Sequence, residues 1–415
     1  MSSTTRAGSG WGVVALLTIF MMINTADRAA LGLAGPEIMK DLNLTNTEFG
    51  FVGSSFFFLY SLAAIVVGFI SNRVPTRWTL LALALIWSAA QAPLIGVVTL
   101  QTLIASRVVL GAGEGPGYPT ALHAVYKWFP DERRALPTAI VAQGATLGVV
   151  VILPVLNVIM TLWSWHAVFA TLTAIGVVWA IFWFAYGKEG PLDDQEKQSG
   201  AVERRSYGEL LSNRTTLAIW IVGFGAFWGY SLLITWFPAY LAKGLNVPAN
   251  LLGLYTALPW LVSTIVIVVV GAVSQTLLRS GVPSRYARFY LGTFCVLAGG
   301  LLVAAAPFAD NDQAKIWILT GGIALPVVVL SLIPPIISES VPASQRSAML
   351  AIGQAIVTFA GVVAPAVTGH IADQAAGGEG FDQGFALCGV VMTAGAVIGA
   401  MVIAPRQRAS AVTAV

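Results

Sequence analysis

Four charged residues lie within apolar stretches of the sequence. Asp27 and Arg28 stand together in one stretch, and Arg107 and Glu114 stand in another. A buried carboxylate whose arginine partner can move away has two different affinities for a proton. A guanidinium can also hold an anionic carboxylate through two parallel hydrogen bonds. The four residues therefore predict a site at which protonation of an acid frees an arginine to bind an anion.

The spacing of the four charges limits how they can pair. Asp27 and Arg28 are neighbours, so on a helix they point about 100° apart and cannot simply neutralise each other. Arg107 and Glu114 share a helix face but stand about 10 Å apart along its axis. Counted from the ends of their helices, Asp27 and Arg107 lie at similar depth, and Glu114 lies nearer the middle. An interhelical clamp without a transport role is the alternative interpretation.

The composition indicates the elements that carry these charges. Of 415 residues, 57% are hydrophobic and 10% are charged, against roughly 25% charged in a soluble domain. A membrane span needs about 20 mostly apolar residues, and four unpaired charges inside spans would cost on the order of 10 kcal/mol. We therefore predict an all-α membrane protein whose charges are paired or face water. Twelve spans are expected, at 11–35, 48–70, 78–98, 100–124, 136–160, 163–187, 216–242, 250–277, 287–307, 315–337, 345–373 and 382–404.

The longest polar stretch, at about 187–206, falls between the sixth and seventh spans. It divides the chain into an N-terminal six-helix half (1–187), a linker (188–215) and a C-terminal six-helix half (216–415). Two halves of this kind that rock about a site near the membrane midplane are typical of secondary transporters.

The lysines and arginines are distributed unequally between the two ends of the spans. Of the 22 in the chain, two lie inside spans, three (Lys40, Lys243 and Lys315) flank one side, and the remaining 17 flank the other. Short cytoplasmic loops carry the excess of positive charge. The count predicts that both termini and the linker are cytoplasmic, in a cell or inner membrane.

Four stretches, NTADRAALGLAGP, GFISNRVPTR, SRVVLGAGEGPGYPT and KWFPDERRA, resemble the major facilitator superfamily. Within it they resemble the anion:cation symporter branch, which carries organic acids such as sugar acids, hexuronates and phthalate. With the twelve-span plan, the resemblance covers nearly the whole chain. It implies that Asp27 and Glu114 take part in proton coupling, and that Arg28 and Arg107 bind the anion or tie the acids.

The loop after the second span matches the superfamily motif G-x-x-x-D-R-x-G-x-R/K only in part. Gly68, Arg73 and Arg77 fit, whereas Asn72 and Pro75 replace the aspartate and the second glycine. In the superfamily this acid contacts a helix at the cytoplasmic gate. The resemblance therefore implies that the gate is held differently in this chain.

Neutral polar and aromatic residues inside the spans are further candidates for substrate contacts. The second half has no charge deep in a span, so we expect it to recognise substrate by shape and neutral hydrogen bonds. Tyr60 and Gln143 resemble polar substrate contacts of the branch, and Tyr118, one turn after Glu114, is placed to donate to it. The alternative is that tyrosines and tryptophans anchor the interface and that glutamines join helices. We expect most of the run Phe56–Phe58 to contact lipid or to pack. The full candidate set is Asn24, Tyr60, Tyr118, Gln143, Tyr230, Trp236, Tyr255, Gln354 and Thr358.

These observations predict proton-coupled symport of a small organic anion by alternating access. The expected partners are the anion, protons and the lipid bilayer, with the chain acting as a monomer and without nucleic acid. A drug/proton antiporter is one alternative, but its usual GPxxGG-like stretch is absent from the fifth-span sequence QGATLGVVVILP. A non-transporting sensor is another, and it would be expected to carry an added soluble domain. The three histidines and two cysteines are scattered, so we expect no metal site, cofactor or enzymatic activity.

The orientation can be tested by labelling single cysteines in intact cells. Cys295 and Cys388 are first replaced by serine, and Gln198→Cys then places one thiol in the linker. We expect no reaction with a membrane-impermeant maleimide, whereas a control thiol, Asp310→Cys between the ninth and tenth spans, should react. Strong modification at position 198 would contradict the predicted topology.

Overall fold

The computed structural model describes residues 3–70, 74–130, 133–192, 205–342, 345–375 and 378–403. Within these ranges the chain folds into α-helices, without β-strands. The helices are α1 (Ser3–Asp41), α2 (Asn46–Ile70), α3 (Thr76–Gln91), α4 (Leu100–Glu114), α5 (Gly117–Tyr126), α6 (Ala135–Leu147), α7 (Leu153–Leu162), α8 (Trp165–Tyr186), α9 (Tyr207–Leu211), α10 (Arg214–Thr235), α11 (Phe237–Ala239), α12 (Ala249–Arg279), α13 (Leu291–Ala305), α14 (Asp312–Ala324), α15 (Val327–Ser340), α16 (Arg346–Gln374) and α17 (Glu379–Val402).

These helices form twelve membrane crossings. In the described part of the chain, eleven segments are long and apolar enough to span a membrane. The twelfth is the fourth crossing, in which α4 and α5 are separated by a break at Gly115 and Pro116. Pro116 lacks a backbone N–H, so one helical hydrogen bond is missing at this point, although Gly115 and Pro116 both keep helical backbone angles. The predicted all-α fold of twelve spans is confirmed.

Helices α1 to α8 make the first half and α10 to α17 make the second. The linker joins them at one end of the bundle, between α8 and α9, and residues 193–204 of it lie outside the described ranges. We call this end the linker side and the other end, which contains Asp41 and Asn46, the far side. A single cluster of buried apolar residues runs through both halves.

On the far side, the two halves meet along α2 and α16. The carboxylate of Asp373, near the end of α16, accepts hydrogen bonds from the backbone N–H groups of Asn46 (2.9 Å) and Thr47 (2.7 Å). It also accepts a hydrogen bond of 2.5 Å from the Thr47 hydroxyl. Free N–H groups at a helix N-terminus favour a negative charge. An acid of the second half therefore caps a helix of the first.

The contact continues from this cap toward the middle of the bundle. A β-carbon at position 50 would lie 2.4 Å from the carbonyl oxygen of Pro365, so Gly50 allows close approach of the two backbones. The backbone N–H of Ala366 donates to the Ser54 hydroxyl at 3.2 Å. Ser61 and Thr358 join their hydroxyls at the other end of the contact. We call this contact, between residues 46–61 and 358–373, the far-side seam.

Beyond the seam, the halves separate. Residues 52–57 of α2 are all buried, whereas none of residues 61–68 is buried. The described structure is therefore closed on the far side and open toward the linker side.

The cap on α2 predicts how the two halves respond to a mutation. A capping side chain contributes about 1 kcal/mol, so Asp373→Ala should shift the equilibrium roughly fivefold toward separation of the far side. Spin labels at Lys40→Cys and Asn250→Cys, in a background lacking native cysteines, should then give an added population at longer distance. Asp310→Ala, which removes an exposed acid on the same side, is the matched control. An unchanged distance distribution in Asp373→Ala would show that the cap does not hold the seam.

Candidate functional site

A buried ion pair joins α1 to the end of α4. Nε of Arg28 lies 3.3 Å from Oε2 of Glu114, and Nη2 donates to Oδ1 of Asn24 at 2.9 Å. The Asn24 amide in turn reaches the backbone carbonyl of Glu114 at 3.5 Å. Arg28 and Glu114 are only 7% and 1% exposed. The guanidinium is thus fixed from two directions within the bundle.

Close packing of α4 on α2 brings the ion pair against aromatic rings. A β-carbon at position 111 would lie 1.8 Å from the carbonyl oxygen of Phe56, and one at position 115 would lie 2.0 Å from that of Tyr60. Gly111 and Gly115 are therefore required for this approach of the two backbones. As a result, the residues at positions 56 and 60 of α2 face the arginines of α1 and α4.

The ring of Phe56 lies close to two guanidinium groups. The Cζ atoms of Arg28 and Arg107 lie 5.4 and 5.0 Å from its centroid, and Arg28 also lies 5.1 Å from the ring of Tyr60. Aromatic faces attract cations at these distances, most strongly where water is excluded. Sequence analysis assigned the run containing Phe56 mainly to lipid contact and packing. The sequence feature that could have identified Phe56 is its position one turn before Tyr60, on the same helix face.

Asp27 and Arg107 form a second charged group beside the ion pair. Asp27 is fully buried and interacts electrostatically with Glu114, Arg107 and Arg28. Gln91, at the end of α3, also lies beside the Asp27 carboxyl. Among the described residues, neither carboxylate oxygen of Asp27 completes a hydrogen bond, and neither do Nε and Nη1 of Arg107. Sequence analysis did not identify Gln91.

The second half contributes Tyr230 to this region. Tyr230 of α10 lies close enough to Arg28 and Tyr60 to interact electrostatically with both. Its ring packs against Phe227 and Trp260, with centroid distances of 5.2 and 5.5 Å. Residues of both halves thus surround Arg28, as expected for a site between them.

Two other candidates from the second half belong to the far-side contacts. Trp236 is fully buried, and its Nε1 donates to the backbone carbonyl of Pro365 at 2.8 Å. Its ring packs against Phe49 of α2 at a centroid distance of 5.4 Å. The Thr358 hydroxyl donates to the backbone carbonyl of Gln354 at 2.8 Å and contacts Ser61. These side chains hold helices together in this conformation.

The remaining candidates lie apart from the ion pair. Tyr118 is separated from Glu114 by the helix break, and its electrostatic neighbour is Tyr126. Gln143 and Tyr255 are half-buried, and Gln354 is exposed. Within the described ranges, none of these four side chains hydrogen-bonds to the charged cluster.

Comparison with known proteins identifies the family. The sequence profile of the Major Facilitator Superfamily matches residues 17–329. The chain belongs to this superfamily. It is 27% identical to the hexuronate transporter of Bacillus subtilis, over 87% of this chain and 88% of that protein. It is 26% identical to the D-galactonate transporter of Escherichia coli O6:H1, over 93% of each chain.

Solved structures of superfamily transporters share the fold. A bacterial homologue of the lysosomal transporter Spinster, in an inward-facing and occupied conformation, gives a TM-score of 0.80 at 18% identity, over 97% of each chain. A D-xylose–proton symporter gives a TM-score of 0.73 at 14% identity, over 94% of this chain and 97% of that one. This superfamily member is a multi-pass membrane transporter and not an enzyme.

The superfamily loop motif is anchored within the first half. Asn72 and Arg73 lie outside the described residues, and a β-carbon added at Gly68 would meet nothing within 4 Å. Nη2 of Arg77 donates to the backbone carbonyl of Phe184 at 2.7 Å. The contacts described for this motif therefore join α3 to α8.

Glu189, which follows α8, provides an acid at the start of α3. It accepts hydrogen bonds of 3.1 Å from the N–H groups of Thr76 and Arg77, and it pairs with Lys127. Partial burial opposes ionisation of Glu189, but the hydrogen bonds from Lys127, Arg77 and Thr76 outweigh it and lower its pKa. Glu189, which lies outside the motif, thus caps α3. The position of the motif's own acid, 72, carries asparagine.

The geometry around Arg28 predicts that lysine cannot replace it. Arg28→Lys keeps the charge but loses the planar group that reaches Glu114 and Asn24 at once. Loss of one charge-assisted hydrogen bond costs about 1.5–3 kcal/mol, so we expect a roughly tenfold or greater fall in substrate uptake by proteoliposomes, normalised to folded protein. Arg279→Lys, at the exposed end of α12, is the matched control. Unchanged binding and uptake in Arg28→Lys would exclude Arg28 from the site.

Proposed function

We propose that this chain imports a small organic anion, of the carboxylated-sugar class, together with protons by alternating access. The observation that carries the proposal is the buried Arg28–Glu114 ion pair, held by Asn24 and faced by aromatic rings from both halves. A carrier that binds an anion beside a titratable acid can link the two binding events.

The pair provides a route for that linkage. Oε2 of Glu114 accepts the hydrogen bond from Arg28, whereas Oε1 completes no hydrogen bond with a described residue. A proton added to this carboxyl removes the negative charge that holds Arg28. The guanidinium can then take a substrate carboxylate through two hydrogen bonds. Proton and anion together leave the net charge of the site unchanged, which limits the cost of moving them through a low-dielectric interior.

Release completes the cycle on the open side. When the anion leaves, Arg28 is again unpaired, and its positive charge lowers the affinity of Glu114 for its proton, which is released to water on the open side. The linker-side opening and the formed ion pair fit the state that follows release. With the linker side in the cytoplasm of a cell or inner membrane, this state faces inward, and the monomer is the transporting unit.

The relatives support the substrate class. Two relatives are named as transporters of hexuronate and of D-galactonate. Both substrates are carboxylates that carry several hydroxyl groups. Arg28 would bind the carboxylate, with Arg107 close to the same aromatic ring. Asn24, Tyr60 and Tyr230 would bind hydroxyls, because amides and phenols both donate and accept hydrogen bonds. A cationic drug fits less well beside two arginines.

The coupling role is tested by neutralising the acids. Asp27→Asn and Glu114→Gln resemble permanently protonated carboxyls, so we expect uptake driven by an imposed proton gradient to fall at least about tenfold in both. Counterflow between preloaded proteoliposomes should survive in at least one of them, because it requires substrate exchange but no net proton movement. Radiolabelled galactonate and glucuronate are the first substrates to use, within a wider panel of carboxylates.

The controls separate coupling from folding. Glu379→Gln removes an exposed acid at the start of α17. Gradient-driven accumulation of substrate by this variant should equal that of the unmodified protein. An interhelical clamp would instead give lower folded yield and thermal stability in Asp27→Asn and Glu114→Gln, with normal coupling in the folded fraction. Normal gradient-driven accumulation in both variants would exclude them as the coupling acids.

A further inference from the structure

Gln91 and Asp27 lie side by side in a buried part of the first half. Both residues are 0% exposed, and the amide lies beside the carboxyl. Under strict geometric limits, the four polar atoms of the two side chains, Oδ1 and Oδ2 of Asp27 and Oε1 and Nε2 of Gln91, complete no hydrogen bond within the described ranges. The amide is nevertheless near enough to the carboxyl for a side-chain hydrogen bond between them. Buried polar groups are rarely left in this condition without a functional reason.

The chemistry of the surrounding groups distinguishes Gln91 from the rest. The charged groups that act on Asp27 are Glu114 and Arg107 of α4 and Arg28 of its own helix, whereas α3 contributes the neutral Gln91 amide. An arginine only donates hydrogen bonds, and an ionised glutamate only accepts them. A protonated Asp27 needs an acceptor for its O–H, and an ionised Asp27 needs donors. Of these neighbours, only the amide supplies both, by turning about its terminal bond.

We propose that Gln91 is the positioning residue that hydrogen-bonds Asp27 in both protonation states. When Asp27 is ionised, Nε2 of Gln91 donates to the carboxylate, and when Asp27 is protonated, its O–H donates to Oε1 of Gln91. The amide holds the carboxyl in one orientation while the proton arrives and leaves. This inference rests on the proposed proton coupling, and it assigns to Gln91 no contact with the anion.

The position of Gln91 supports a role separate from substrate binding. Asp27 and Arg28 point in different directions from α1, and Arg28 is the residue paired with Glu114 and Asn24. Gln91 lies on α3, which takes no part in the far-side seam. A change at Gln91 should therefore alter proton handling and leave the apparent affinity for substrate unaffected.

The test uses two substitutions of Gln91 in the full chain, in proteoliposomes. Gln91→Met keeps the length of the side chain without its hydrogen bonds, and Gln91→Asn keeps the amide on a shorter stem. We expect Gln91→Met to lower gradient-driven uptake about tenfold relative to counterflow and to displace the midpoint of the pH–uptake profile by about one unit. The KM for substrate should be unchanged, and Gln91→Asn should restore part of the coupling. Thr293→Val removes a buried hydroxyl that also completes no hydrogen bond in the described structure and should behave as the unmodified protein.

A double variant separates this inference from the proposed function. In the Asp27→Asn background no proton is exchanged at position 27, so adding Gln91→Met should leave the ratio of uptake to counterflow unchanged. If Asp27→Asn abolishes coupling while Gln91→Met has a normal ratio and pH profile, the role of Gln91 is wrong and the proposed function stands. If Gln91→Met lowers the ratio equally with and without Asp27→Asn, Gln91 acts independently of Asp27 and the inference is wrong. Normal coupling in Asp27→Asn itself would overturn the inference, and normal coupling in both Asp27→Asn and Glu114→Gln would overturn the proposed coupling as well.

Discussion

An ionised side chain inside a membrane span has to find its counter-charge within the protein, and this requirement organises the first half of the molecule. Arg28 is paired with Glu114 at 3.3 Å and bound to Asn24, which ties α1 to the end of α4. Asp27 and Arg107 interact more loosely beside them. In the proposed cycle, the Arg28–Glu114 pair provides the arginine that is displaced, and Asp27 provides a second carboxyl that exchanges a proton.

Helix α2 connects this charged cluster to the contact between the halves. Its residues Phe56 and Tyr60 face the arginines, and the same helix carries the far-side seam from Asn46 to Ser61. A substrate that displaced Arg28 from Glu114 would change the contacts of both rings. Because α2 is a continuous helix, such a change acts directly on the element whose position distinguishes a closed far side from an open one. The site and the seam therefore have a physical connection through one rigid element.

Sequence patterns were sufficient for the number of spans, the two halves and the four buried charges, because hydrophobic length and charge are local properties. The partners of those charges depend on the rotation of each helix and on the break at Pro116, which are set by packing between helices. The Arg28–Glu114 pair could therefore not be chosen over the alternatives. The same limit explains why Trp236 was chosen as a substrate contact although it faces the seam. It also explains why Gln91, which no local sequence pattern distinguishes, was not identified.

Several contacts of the far-side seam are made by backbone atoms and small polar side chains, beside packed rings such as that of Phe57 against Gly361. Gly50 rests on a carbonyl oxygen, Ser54 accepts from a backbone N–H, and a carboxylate caps the start of α2. When such surfaces separate, water can replace most of the hydrogen bonds that are broken, whereas separated leucine or phenylalanine surfaces would remain poorly hydrated. An opened seam would thus present hydrophilic positions on a wall that also carries apolar rings. A polar solute that passed along this wall would meet hydrogen-bonding partners at these positions.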